Sequence, residues 1–260
     1  MALVVIRMAR RAWRVSRLAA HLLLAVPRAV RLFRQTRRGT LAAEEYERTV
    51  RWFCGGVLEA LHVPLSIRGE PLRGGHVSAA NHVSFLDVPA LGAASPGRFV
   101  AKAEIAGWPL LGWLGRSART IYLARQRSRA GLSAVETIEQ ALQDGDHLIL
   151  FPEGTTTDGC TLLPFHAVLL DGAVRAGAWL QPVLLRYPDA RDPSRCNLDA
   201  AWIGTETAFA LLWRVAAARE TPVEITYLEP FRADGHRRDV AERLRAAIVA
   251  ALADATRAGQ

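Results

Sequence analysis

The chain has 260 residues, 50% of them hydrophobic, with 33 basic against 25 acidic side chains and a formal charge of +8. That length suits one α/β domain with an appendage, and the apolar half can bury a sizeable core. The charge excludes a nucleic-acid groove, because residues 1–38 carry ten arginines and no acid, leaving about −2 for the rest, and no RNA-recognition or zinc-finger pattern accompanies it.

In the N-terminal segment Arg7, Arg10, Arg11, Arg14 and Arg17 recur at helical spacing, with Val4, Met8, Ala12, Val15, Ala19 and Leu22 opposite. Its longest uncharged run, residues 18–27, would span about 15 Å as a helix, half the hydrocarbon thickness. A transmembrane helix is therefore not expected, nor is a signal peptide, since arginines flank the run on both sides. The pattern predicts an interfacial amphipathic helix, kinked near Pro27, with arginines toward anionic headgroups. Residues 42–61 predict a second helix, with Tyr46, Val50, Phe53, Val57 and Leu61 at core spacing.

From residue 65 onward short apolar runs alternate with amphipathic helical stretches, which predicts an α/β domain with a mixed sheet flanked by helices. The expected strands are residues 65–68, 76–80, 97–101, 120–123, 147–151, 178–186 and 223–228. Expected helices cover residues 85–94, 110–116, 130–143, 165–176 and 240–255. The division is residues 1–62 for the helical, membrane-associated region and 63–260 for the α/β domain. Cys54, Cys160 and Cys196 are scattered without metal-ligand spacing, so they are expected as free thiols in a reducing compartment.

The chemistry-bearing segment is Asn81-His82-Val83-Ser84-Phe85-Leu86-Asp87, an imidazole and a carboxylate five apart at a strand-to-helix corner. Such a corner exposes side chains and backbone donors, which a general base needs. His166 and Asp171 repeat the spacing, but no Asn precedes them and they fall inside an expected helix, so they read as a decoy. Thr120-Ile121-Tyr122-Leu123-Ala124-Arg125 ends a strand on an arginine, whose fork suits a phosphate. Phe151-Pro152-Glu153-Gly154-Thr155 is an acidic, glycine-containing turn after a strand, continuing through Thr156, Thr157 and Asp158 to Leu163-Pro164-Phe165-His166. Leu180-Gln181-Pro182-Val183 lies in another strand.

Together these four segments, over roughly residues 65–230, resemble the motifs of the glycerolipid acyltransferase family, which includes the 1-acylglycerol-3-phosphate acyltransferases. The resemblance implies acyl transfer from acyl-CoA or acyl carrier protein to the hydroxyl of a lysolipid, with no cofactor and no metal. It makes His82 the base and Asp87 its orienting carboxylate. Asn81, Arg125, Glu153, Gly154 and Thr155 are implied on the acceptor side. Lysophosphatidate is the first acceptor and phosphatidic acid the product. Thr156 and His166 stand where phosphatidate-forming members carry basic residues, which brings in a lyso-ornithine lipid as the alternative. The expected location is peripheral, on the cytoplasmic face of the cell membrane. A thioesterase-like hydrolase and a non-catalytic lipid-binding protein are the other function classes; the second has no use for His82, Asp87 and Glu153 together.

Overall fold

Strands rich in uncharged apolar residues must be covered on both faces, and the sheet is built that way. The computed structural model describes residues 2–123 and 129–258. Among the described residues eight strands form one sheet: β1 (Leu65–Arg68), β2 (His76–Ala80), β3 (Arg98–Lys102), β4 (Ile121–Leu123), β5 (His147–Leu150), β6 (Trp179–Arg186), β7 (Val223–Tyr227) and β8 (Phe231–Arg232). Their order is β1-β7-β6-β2-β5-β3-β4, with β8 beside β6. The β6–β7 and β6–β8 pairs are antiparallel and the others parallel. The sheet is thus mixed, and the seven expected strands fall within a residue or so of their predicted ends.

The period-two alternation of strand side chains sorts the core into two layers. Ala80, Ile149, Val183 and Leu185 face a layer that includes α2 (Ala43–Leu61), α3 (Asp87–Ala94) and α7 (Ala208–Ala217). Their neighbours Val77, Ala79, Leu148, Leu150 and Leu180 face α5 (Arg129–Gln143), α6 (Asp171–Arg175) and α8 (Arg237–Ala258). The helix α4 (Pro109–Ser117) follows a one-turn 3₁₀ helix at Ala103–Gly107. The helix predicted over 165–176 is instead a 3₁₀ turn, Ala167–Leu170, followed by α6. The helix α7 has no sequence counterpart above, because Ala208-Phe209-Ala210-Leu211-Leu212-Trp213 offers no polar face to set a period.

The N-terminal helix α1 runs from Ala2 to Arg38 with Pro27 inside it, and part of its basic face, expected toward headgroups, turns inward instead. Arg14 is buried, donating to the carbonyls of Ala218 at 2.8 Å and Arg219 at 2.6 Å. Arg10 donates to Ala217 O at 3.0 Å, and Arg11 to Trp213 O at 3.1 Å. The physical reason is the C-terminus of α7, whose last carbonyls lack helical partners and attract cations. Outward from the first 27 residues point many apolar side chains, Val4, Val5, Met8, Trp13 (66% exposed), Leu23 (72%), Leu24 and Val26, together with Arg7 and Arg17. Among the described residues no helix is long and apolar enough to cross a membrane.

The cysteine expectation is also corrected. Cys160 and Cys196 form a disulfide with their Cα atoms 5.8 Å apart, and only Cys54 is a free, buried thiol. A separation of 36 residues gives no pairing signal; the fold brings together the loop after β5 and the loop after β6.

At the opening ends of β2 and β5 two rings stack, buried His76 on half-buried His147, with centroids 4.0 Å apart. Ser78 Oγ sits between them, 3.2 Å from His76 Nε2 and 2.9 Å from His147 Nε2. Burial lowers both pKa values, that of His147 to about 3. The unfolded chain therefore binds protons more readily below a pKa of about 6.5, and stability present above that pH is lost on acidification. Between about pH 7.5 and about pH 5 the loss from His147 should approach 2 kcal/mol, with His76 adding in the same direction. Urea unfolding at both pH values should register it, and His147→Gln should flatten the dependence. A wild-type midpoint that ignores pH over this range would contradict the assignment.

Candidate active site

β2, β5 and β6 lie side by side, with Ala79 opposite Leu150 and Ala80 opposite Val183. The chain leaves β2 at Asn81, β5 at Phe151 and β6 at Tyr187, so three distant segments emerge along one edge, where α/β sheets bind ligands.

The helix α3 begins at Asp87 rather than Phe85, and His82 stands in the irregular stretch before it. This resolves the geometry of a five-residue spacing, which on a continuous helix would turn the two side chains about 140° apart. His82 Nδ1 lies 2.7 Å from Asp87 Oδ2. The same oxygen accepts from Val83 N at 2.7 Å and Ser84 N at 2.9 Å. Tyr187 OH donates to the other oxygen, Oδ1, at 2.5 Å. The Asp87 side chain is fully buried, while that of His82 keeps 20% exposure. Nδ1–H donating to the carboxylate leaves Nε2 unprotonated as the basic nitrogen. The imidazole also stacks on Phe151, centroids 4.0 Å apart at 14°, which fixes its plane.

Glu153 is buried, and both its oxygens are used by the main chain: Oε1 accepts from His82 N and Oε2 from Leu163 N, each at 2.8 Å. Burial pushes its pKa up, while the backbone donors and His82 pull it down. Asn81 is likewise occupied, donating to Leu185 O at 2.9 Å and accepting from Leu185 N at 2.7 Å. These two side chains, expected to meet an acceptor, instead hold the His82 backbone between β5 and β6. Thr157 completes the grip, its N donating to His82 O at 2.8 Å.

Gly154 has φ +66°, and a Cβ there would lie 2.9 Å from His166 Cδ2. Any other residue would therefore be both strained and crowded. Thr155 is exposed beside it, whereas Thr156 Oγ1 donates to Trp202 O at 2.5 Å. Arg125 lies outside the described residues. The decoy reading of His166 stands on geometry, since Asp171 pairs with Arg237 at 3.2 Å and Arg175 at 3.4 Å.

Sequence reasoning missed two contributors. Tyr187 comes from 100 residues beyond Asp87, and a Tyr ending a buried strand is the one available hint. Arg245 of α8 donates to the carbonyls of Leu162 at 2.7 Å and Leu163 at 2.9 Å, bracing the turn that binds Glu153. Beside His82's partner Phe151 a cavity of about 1070 Å³ opens between the second helical layer and the ends of β3–β5.

Burial and the Asp87 charge hold Tyr187 well above the ordinary tyrosine pKa, so it remains a neutral donor. Tyr187→Phe keeps the volume but removes one donor from a buried carboxylate, and should lower unfolding free energy by about 1–3 kcal/mol. Denaturant titration checks this; unchanged stability would mean that Asp87 is satisfied without it.

Comparison with known proteins agrees with this geometry. An acyltransferase family model matches residues 64–186. A lyso-ornithine lipid O-acyltransferase of Pseudomonas aeruginosa is 36% identical over 212 residues, 79% of each chain. A 1-acyl-sn-glycerol-3-phosphate acyltransferase of Neisseria meningitidis is 36% identical over 176 residues, 66% of this chain and 68% of that one. The crystal structure of a 1-acyl-sn-glycerophosphate acyltransferase from Thermotoga maritima superposes over 97% of both chains with TM-score 0.70 at 18% identity, a likeness of fold. A buried carboxylate orienting one half-buried imidazole, on this sheet and in this company, makes the chain a member of the acyltransferase family.

Proposed function

We propose that the protein transfers a fatty acyl group from a water-soluble thioester to the free hydroxyl of a lysolipid. The carrying observation is the His82–Asp87 pair, with Nδ1 bound to the carboxylate at 2.7 Å and Nε2 left to act. A lipid hydroxyl is a weak nucleophile at neutral pH. His82 Nε2 takes its proton as the oxygen attacks the thioester carbonyl, an effect of about 10²–10⁴-fold. The new ester C–O bond forms, the C–S bond breaks, and the imidazolium returns the proton to the departing thiolate. Asp87 holds the tautomer and stabilises the imidazolium. The cavity beside Phe151, floored by Val100, Leu123, Val135, Ile138 and Leu150, suits an acyl chain.

For the acceptor, Thr156 favours a lyso-ornithine lipid. Its place after Glu153-Gly154-Thr155 carries no cation, and its hydroxyl is engaged by Trp202, so this position offers a phosphate no charge. The relative from Pseudomonas aeruginosa supports this reading. Lysophosphatidate is the second reading, supported by the Neisseria meningitidis relative. Side-by-side assays with both lysolipids decide between them.

In this reading α1 lies on the membrane surface through its outward apolar face. Arg34 and Arg38 remain exposed near its end, placed to meet anionic headgroups. The cytoplasmic leaflet is the surface proposed.

His82→Ala should abolish transfer with the fold intact, while Asp171→Asn should retain it because that carboxylate serves arginines. Equal losses in both would overturn the site. Trp13→Gln with Leu23→Gln should lower partitioning onto vesicles at least tenfold or so, as apolar burial is lost. Added salt should act less, because Arg10, Arg11 and Arg14 are engaged inside. Co-flotation measures both effects, and binding governed by salt alone would refute the apolar-face reading.

A further inference from the structure

We infer that the first three turns of α8 form the seat for the phosphate of the acyl donor's pantetheine arm. The inference rests on the proposed thioester-to-lysolipid transfer and says from which side the donor arrives.

The cavity belongs to one face of the sheet. Its lining comes from β3, β4, β5, the segment 164–169, α5 and α8, and none of it from α1, α2, α3 or α7. The outward apolar surface of α1 belongs to the opposite layer, where Leu18 packs with α2 and α7. A lysolipid can keep its own chain in the lipid phase on the α1 side. A soluble thioester has no such refuge, so its chain needs an apolar cavity reached from water, and this cavity provides one. The headgroup of that donor then has to lie at the cavity rim.

The rim is cationic. On α8, Arg238, Ala241, Glu242 and Arg245 fall at i, i+3, i+4 and i+7, one stripe of the helix, and all four line the cavity. Arg237 lines it as well, and Lys102 faces the same space from the end of β3. Among the described residues four cations thus face one carboxylate, Glu242. Two of them are committed elsewhere: Arg237 pairs with Asp171 at 3.2 Å, and Arg245 braces Leu162 and Leu163. The Arg238 side chain is exposed and has no hydrogen-bond or ion-pair partner among the described residues. An excess of like charge at a cavity mouth attracts an anion, and the guanidinium fork fits a phosphate. Both coenzyme A and carrier-protein thioesters present a phosphate on the same pantetheine arm, so one seat serves either donor.

The test pairs Arg238→Ala and Arg238→Lys with two donors, acyl-CoA and acyl-pantetheine, which lacks phosphate. Arg238→Ala should raise the KM for acyl-CoA about tenfold, the size of one charge-assisted hydrogen bond. The lysine variant should recover most of that. With acyl-pantetheine the change should stay within about twofold, and the KM of the lysolipid should not move. An equal rise with acyl-pantetheine, no rise with acyl-CoA, or a rise confined to lysophosphatidate would each overturn the assignment, the last by giving the seat to the acceptor. Calorimetric titration of coenzyme A itself into wild type and Arg238→Ala should show the same tenfold weakening. That measurement stands without turnover, so a wild type that transfers from no thioester would sink the proposed reaction while the titration still decides the seat.

Discussion

A carboxylate withdrawn from water must be surrounded by donors, and the site follows from how Asp87 meets that requirement. Four donors arrive: the His82 ring, the amides of Val83 and Ser84, and the Tyr187 hydroxyl. The two amides bend the chain after β2 into a tight loop and delay the start of α3 to Asp87 itself. That delay brings the imidazole to the carboxylate. Leaving the charge unsatisfied would cost several kcal/mol, so the loop, the first turn of α3 and the end of β6 are fixed by one group. A second buried carboxylate, Glu153, repeats the principle with main-chain donors only, and sets where the His82 backbone sits.

The sheet and most helices were legible because their signal is local: apolar runs of strand length between glycine and polar breaks, and helical periodicity in 43–61 and 129–143. The helix α7 was not, since a segment that is apolar on its exposed side as well has no period to read; its remaining mark is Thr207, whose hydroxyl caps Ala210 N at 3.2 Å. The His82–Asp87 pair could be picked out, but the roles of Asn81 and Glu153 could not. A polar side chain looks the same in sequence whether it meets a ligand or a backbone amide. The facing of α1 was legible only in part for a similar reason. An amphipathic pattern says that two faces differ, and only the open carbonyls at the end of α7 decide that Arg10, Arg11 and Arg14 turn inward.

Two devices let the edge of the sheet carry this much polar structure. Main-chain groups do most of the bonding, which spares side chains such as Thr155 for contact with whatever binds. Glycine appears where the backbone must turn against a neighbour: Gly154 against His166, and Gly159, at φ +76°, with a Cβ position 3.1 Å from Val83. The loop after β5 can therefore lie directly on the loop after β2.

The bonds that frame the His82–Asp87 pair are not local. His82 meets Glu153 across 71 residues, Asp87 meets Tyr187 across 100, and Asn81 meets Leu185 across 104. Such contacts form only after long stretches of chain have been closed into loops. During synthesis, which exposes the N-terminal part first, the histidine and its carboxylate leave the ribosome well before β6 exists to complete them. A nascent chain stalled short of Tyr187 holds both residues but lacks the frame that orients them. Competence thus comes with the last strands to be laid down at the centre of the sheet, and translation passes through no half-built catalyst.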